Sequence, residues 1–170
     1  MIILPGEPST ANFCISYLNR DRTFKSIFLQ SENEDISKKI PLNTLDKYLG
    51  LLVKVMEKIA IVHLQYNITK KQYVNTYYSL QISNIDSGYI TSLEEYFKQS
   101  DIVVAKIISV SRQSLTLKDS DLGLLISQCP HCKICLTRDL LANKICQNCN
   151  LTAGNKKFSK QNFEEVVRLL

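Results

Sequence analysis

The chain has 170 residues, 45% of them hydrophobic, and a formal net charge of +5. That length fits one ordinary domain or two to three small ones, and the apolar share is too high for a disordered chain. No apolar run approaches the ~20 residues of a membrane-spanning helix, and the opening "MIILPGEPST" has no basic start of the kind a signal peptide carries.

The expectation is therefore an intracellular, cytoplasmic protein whose thiols stay reduced. Its charge is unevenly placed. Residues 1–46 carry 5 basic and 6 acidic side chains, residues 47–128 carry 9 and 7, and residues 129–170 carry 7 and 3. The basic bias at the C-terminal end permits a phosphate-rich partner without requiring one.

In chain order, "NFCISYLNRDRTFKSIFLQS" reads as two short strands around a turn near Asn19–Arg22. "SENEDISKK" is a charged loop that Pro41 ends. "LDKYLGLLVKVMEKI" fits either a helix or a strand; a tight turn at Glu57-Lys58 into the next segment favours a strand over Tyr48–Met56.

"IAIVHLQYN" alternates, with Ala60, Val62, Leu64 and Tyr66 on one face and Ile61, His63, Gln65 and Asn67 on the other. "TYYSLQIS" does the same, setting Tyr78, Leu80 and Ile82 against Tyr77, Ser79, Gln81 and Ser83. Ser92 and Glu95 stand at capping-box spacing, which predicts a short helix from about Leu93. "DIVVAKIISVS" is nearly all apolar, as a well-buried strand is, and "SRQSLTLKD" gives a further strand after a turn at Ser111–Gln113.

Five strands with a short helix between the third and fourth is the order of an OB-type barrel. Its usual ligand face, the outer side of strands two and three, would carry His63, Gln65, Tyr77, Ser79 and Gln81, with Lys58 and Arg112 in turns nearby. A half-exposed sheet face is also often merely polar. Tyr77 is the one aromatic there able to stack on a base.

Five of the six cysteines lie in "CPHCKICLTRDLLANKICQNCN". Cys129/Cys132 and Cys146/Cys149 form two Cys-x-x-Cys turns separated by 13 residues. Two such turns complete a tetrahedral thiolate shell with no open position, which is the zinc-ribbon arrangement. The residue after each second cysteine bends with positive φ and is often Gly; here it is Lys133 and Asn150.

Cys135 extends one pair to Cys-x-x-Cys-x-x-Cys, but the fourth cysteine and Pro of a ferredoxin loop do not follow. A redox dithiol would want a surrounding strand–helix unit. His131, between two ligands of one turn, is expected to point away. Cys135 and Cys14 read as free thiols. A four-thiolate zinc is structural and does no chemistry. Beyond it, "SKQNFEEVVRLL" puts Phe163, Val166, Val167 and Leu170 on one helical stripe after a cap at Ser159.

The order of parts resembles the zinc-ribbon cap subunit of the archaeal RNA exosome. The matching stretches are "LPGE" at Leu4–Glu7, "SDIVVAKIISV" at Ser100–Val110, "DLGLLISQCPHC" at Asp121–Cys132, and "CQNCNLTAGNKKFSK" with its basic positions Lys156 and Lys157. "DLGLLISQCPHC", which runs the final barrel strand straight into the first zinc turn, is the most specific.

The resemblance implies a mainly β chain in three parts. Residues 1–45 form a small N-terminal β-domain that docks on the ring. Residues 46–127 form a five-stranded OB barrel of the kind named after ribosomal protein S-one. Residues 128–170 form a zinc ribbon with a short terminal helix. It also implies a non-catalytic role. The cap feeds RNA to a ring of RNase-PH-like subunits for 3'-5' degradation or tailing, beside the other type of cap subunit and a DnaG-primase-like protein.

The expected metal ligands are Cys129, Cys132, Cys146 and Cys149, holding one structural Zn2+. The expected RNA contacts are Lys58, His63, Tyr77, Gln81 and Arg112. No Gly-rich phosphate loop and no nucleophile-plus-base motif is present.

This chain departs from the family pattern in places. Ser100-Asp101 stands where Gly-Asp is usual. Ile61 and Gln81 stand nearest the family's aromatic and His positions on the RNA face. The alternative reading is a stand-alone zinc-ribbon/OB nucleic-acid factor of transcription or translation.

Overall fold

A computed structural model describes residues 41–137, 141–142 and 145–161, with only the backbone at 135 and 141–142. The expected N-terminal β-domain, "LPGE", Cys14 and the C-terminal helical stripe lie outside the described residues, as does the side chain of Cys135.

Among the described residues nine strands follow one another: β1 Lys47–Val55, β2 Ile59–Asn67, β3 Gln72–Gln81, β4 Ile102–Ser109, β5 Ser114–Thr116, β6 Gly123–Gln128, β7 Cys135–Leu136, β8 Leu141–Ala142 and β9 Ile145–Cys146. The first five close a barrel. β1 pairs antiparallel with both β2 and β4, β3 pairs parallel with β5, and β5 pairs antiparallel with β4. This is the mainly β, five-stranded barrel expected from the sequence.

β1 serves both neighbours because it bends. Its register against β2 shifts at Leu49/Gly50 and again at Leu52/Lys54. Bulges raise local twist and let a strand turn a barrel corner. Gly50 sits at the first shift, where an added Cβ would stand 2.5 Å from Val62 Cγ1. The helical spacing of "LDKYLGLLVKVMEKI" is overridden by this pairing, and Glu57-Lys58 forms the turn, closed by Met56 N–H on Ile59 C=O at 3.0 Å.

The barrel core takes the apolar faces read from the alternation. Ala60, Val62, Leu64, Tyr66, Tyr78 and Leu80 are buried with Leu93, Phe97, Val103 and Leu115. Two expectations fail beside them. Gln65 and Asn67, assigned to the outer face of β2, are buried. The β2–β3 register shifts between Leu64 and Tyr66, so the period of two is broken there and consecutive residues turn inward. Asn67 is then satisfied by donating to Asp46 Oδ2 at 2.9 Å.

β3 begins at Gln72, four residues earlier than "TYYSLQIS" suggests, and the expected helix is a single 3-10 turn over Leu93–Glu95. Ser92 caps it by accepting from Glu94 N–H at 3.3 Å. The turn after β4 falls where expected, with Gln113 at φ 49°.

The fifth barrel strand is split. β5 covers one half of β4, and β6 pairs with the other half at Ile102, Val103 and Val104. β6 then runs one residue further into Cys129. Among the described residues no helix is long and apolar enough to cross a membrane.

Candidate metal centre and nucleic-acid face

The two Cys-x-x-Cys turns face each other. Cys129 and Cys132 follow β6. Cys146 ends β9 and Cys149 lies in the turn after it. Each turn is closed by backbone bonds: Lys133 N–H on Cys129 C=O at 3.2 Å and Asn150 N–H on Cys146 C=O at 2.8 Å. Lys133 at φ 62° and Asn150 at φ 60° adopt the left-handed conformation the spacing anticipated.

The four Sγ atoms all lie within 4.8 Å of one another, with Cys129–Cys149 and Cys132–Cys146 each 3.8 Å apart. A tetrahedron with metal–sulfur bonds of about 2.3 Å has edges of about 3.8 Å. The gap is far beyond a sulfur–sulfur bond of about 2.05 Å, so these are thiols arranged as a tetrahedral donor set.

The donor set is electrostatically prepared. The Asn148 side chain and the Ile134 N–H hold the Cys132 thiol down at about 6. Cys149 accepts from Leu151 N–H, which favours its thiolate, yet burial and the three other sulfurs push it up to about 11. Four sulfurs in one shell cannot all ionise without a cation between them. A metal ion fits this chemistry. His131 is engaged elsewhere, its Nε2 3.0 Å from Thr152 C=O.

The outer face of β2 and β3 carries a second cluster. His63 and Tyr77 are register partners and stack, with ring centroids 4.5 Å apart and planes 12° apart. Asn75 Oδ1 lies 2.6 Å from His63 Nε2, and Gln65 Nε2 lies 3.2 Å from Nδ1. As these amides are oriented, Nε2 carries the imidazole proton and Nδ1 accepts. Both ring edges are occupied, so the pair offers a flat surface. Tyr77 is 54% exposed and presents it to solvent.

The predicted face is assembled unevenly. Gln81 is exposed at the end of β3 opposite Ile59, Lys58 is exposed in the β1–β2 turn, and Arg112 is exposed in the β4–β5 turn. That turn abuts β3: Gln113 C=O accepts from Ser79 N–H at 2.7 Å and from Ser79 Oγ at 3.1 Å. The structure therefore joins Arg112's turn to the row holding Tyr77 and sets Lys58 and Gln81 at the β1–β2 turn end. Asn75 was missed. It stands two residues before Tyr77, and the period of a strand is the signal that could have found it.

Lys156 and Lys157, the basic positions of the family resemblance, are bound within the chain. Lys157 Nζ donates to Ile85 C=O at 2.6 Å and also to Leu117 C=O. Lys156 Nζ donates to Ser127 Oγ at 2.7 Å, and Ser127 Oγ donates to Asp101 Oδ1 at 2.8 Å. Burial lowers the pKa of both lysines. Burial also pushes Asp101 up to about 6, although Lys156 and the Lys98 N–H favour its charged form.

No protein-family model matches the chain. Among curated proteins it is similar to the exosome complex component Csl4 of Archaeoglobus fulgidus, at 28% identity over 100 residues. The match covers 55% of this chain and 53% of that protein, so this chain spans about half the length of the curated relative.

Among solved structures it is similar to a chain of the a/eIF2alpha–aDim2p–rRNA complex of Pyrococcus horikoshii. Identity is 21% and TM-score 0.38, covering 47% of this chain and 46% of that one. It is also similar to the alpha subunit of aIF2 from Pyrococcus abyssi. There identity is 17% and TM-score 0.37, covering 48% of this chain and 30% of that one. The resemblance read from the sequence thus has a curated counterpart, an archaeal exosome component similar to this chain over about half its length.

Proposed function

We propose that this chain is a non-catalytic, RNA-binding cap subunit of an archaeal exosome, recruiting RNA to a ring of RNase-PH-like subunits for 3'-5' degradation or tailing. The observation that carries the reading is the junction: β6, paired to the closed five-stranded barrel, ends at Gln128 and is followed directly by Cys129 of the four-thiol cluster. The similarity to an archaeal exosome component supports it.

In this reading residues 1–45 dock on the ring, 46–127 are the RNA-binding barrel, and 128–170 are the zinc ribbon with its terminal helix. The partners are RNA, the ring, the other type of cap subunit and a DnaG-primase-like protein, and the setting is the cytoplasm.

Cys129, Cys132, Cys146 and Cys149 would hold one Zn2+, which supplies a structural cross-link and no reaction chemistry. RNA lies across β2 and β3. Tyr77, backed by His63, takes one unpaired base, while Lys58 and Arg112 meet phosphates and Gln81 offers hydrogen bonds. His63 stands two residues from Ile61, and Tyr77 four residues from Gln81, the positions nearest the family's own.

Binding of single-stranded RNA to the full chain tests the face. Tyr77→Ala should weaken it by about 1–3 kcal/mol and Tyr77→Phe should not. Equal affinity of all three proteins would remove the face from the proposal. A steep salt slope in the isolated chain, reflecting several phosphate contacts, would favour the stand-alone factor instead.

A further inference from the structure

The ribbon does not end at its cysteines. Seven residues after Cys149 the chain returns to the barrel and lies along β6. Leu124 N–H donates to Lys157 C=O at 2.8 Å, Ser159 N–H donates to Leu124 C=O at 2.9 Å, and Lys160 N–H donates to Ser120 C=O at 3.1 Å. Leu124 and Phe158 form a parallel bridge. Gly123, at φ 139°, makes the approach possible: an added Cβ would stand 2.6 Å from Lys157 C=O.

The side chains point into both halves. Phe158 packs against the barrel core and against the small core of Cys129, Leu136, Cys146 and Ala153. Ser159 is fully buried and donates to Asp121 C=O at 2.6 Å. Lys157 closes on the Ile85 and Leu117 carbonyls, and Lys156 reaches the buried Asp101 through Ser127.

The chain path links the cysteines to this contact. Leu124 and Phe158 are about 34 residues apart in sequence, and the entropic cost of closing a loop grows with its length. A metal at the four sulfurs ties Cys129, at the end of β6, to Cys149, at the start of the returning segment. It removes the intervening arm from the closure, as a cross-link would.

We propose that Lys156–Lys160 is a clasp through which the metal state of the ribbon is transmitted to the barrel. With the site filled, the clasp covers β6 and supplies the partners of the Ile85 and Leu117 carbonyls and of Asp101. With the site emptied, the clasp lifts from β6, those groups open to water, and two lysines are released to solvent. The coupling stays on the β6 side, since β2 and β3 make no backbone bond to the clasp among the described residues.

Amide hydrogen exchange of the full chain tests this, comparing the metal-loaded protein with protein stripped by chelator under reductant. Metal content is measured on both. Removal should speed exchange of the Leu124 and Ser159 amides by about tenfold or more and leave the β2–β3 ladder unchanged, the pattern of a local opening. Lys157→Met with metal bound should speed the same two amides while the cobalt(II)–thiolate spectrum of its cysteine site matches wild type.

Three results would overturn the clasp. Unchanged exchange at Leu124 and Ser159 after stripping would mean that the barrel alone holds the segment. Loss of protection throughout the barrel would mean that the metal supports the whole fold. A chain that binds no metal in any form would end both the clasp and the zinc site, and leaves the RNA face to its own test.

Discussion

The barrel and the ribbon are held by opposite means. The barrel buries a continuous core that runs from Tyr48 to Ile126 and closes its strands into a ring of hydrogen bonds. Among its described residues the ribbon's own core holds four buried residues, two of them cysteines, and its strands are two residues long. So small a core removes little apolar area from water to set against the entropy of ordering the chain. A metal held by the four sulfurs would take the place of a larger core. The barrel should therefore tolerate the loss of one side chain, and the ribbon should not tolerate the loss of one sulfur.

Cys146→Ser breaks the comparison most severely. It should abolish stoichiometric metal binding, measured by elemental analysis, and cost the ribbon most of a metal-binding energy of about 10–16 kcal/mol. Retention of one ion per chain would show that three sulfurs suffice.

Lys157→Met comes next because it cuts the tie between the regions. It leaves the Ile85 and Leu117 carbonyls without their ammonium donor, so the denaturant midpoint should drop by an amount worth about 2–4 kcal/mol. An unchanged midpoint would make the tie incidental.

Asp101 gives a pH-dependent version. Its folded pKa of about 6 lies above the usual carboxylate value, so the native state binds its proton more tightly than the unfolded chain does. Its contribution to stability is therefore full below about pH 4 and is lost as pH rises to 6. Relative to Asp101→Asn, the wild type should lose on the order of 2 kcal/mol across that window, read from denaturation at each pH. A parallel pair of curves would show that Lys156 neutralises the carboxylate fully.

Ser100→Gly is the smallest effect. Ser100 is buried at φ 72°, a conformation that favours Gly, and the substitution should raise stability by about 0.5–1 kcal/mol. A loss would mean that the Ser100 hydroxyl contributes more than its backbone strain costs.

The sequence revealed the two regions unequally. The bounds of β2 and the faces of its first half were legible because Ala60, Val62 and Leu64 alternate cleanly against Ile61 and His63, and both ribbon turns were legible because Cys-x-x-Cys fixes local geometry. What it concealed are events between distant residues. The bulge that buries Gln65 arises from pairing with β3, and no local pattern marks it. Lys156 and Lys157 look like solvated charges; only the return of the chain to β6 brings them against Ser127 and Ile85. The stacked pair of His63 and Tyr77 needed the register of two strands, which alternation gives only up to a shift of two.

We propose that this barrel and ribbon form an RNA-handling adaptor of a larger nuclease. Affinity purification of the chain from its native cells, followed by identification of the proteins that accompany it, tests this most directly. The account predicts RNase-PH-like ring subunits in stoichiometric amounts. Recovery of the chain alone, or with transcription or translation factors and no ring subunit, would contradict it.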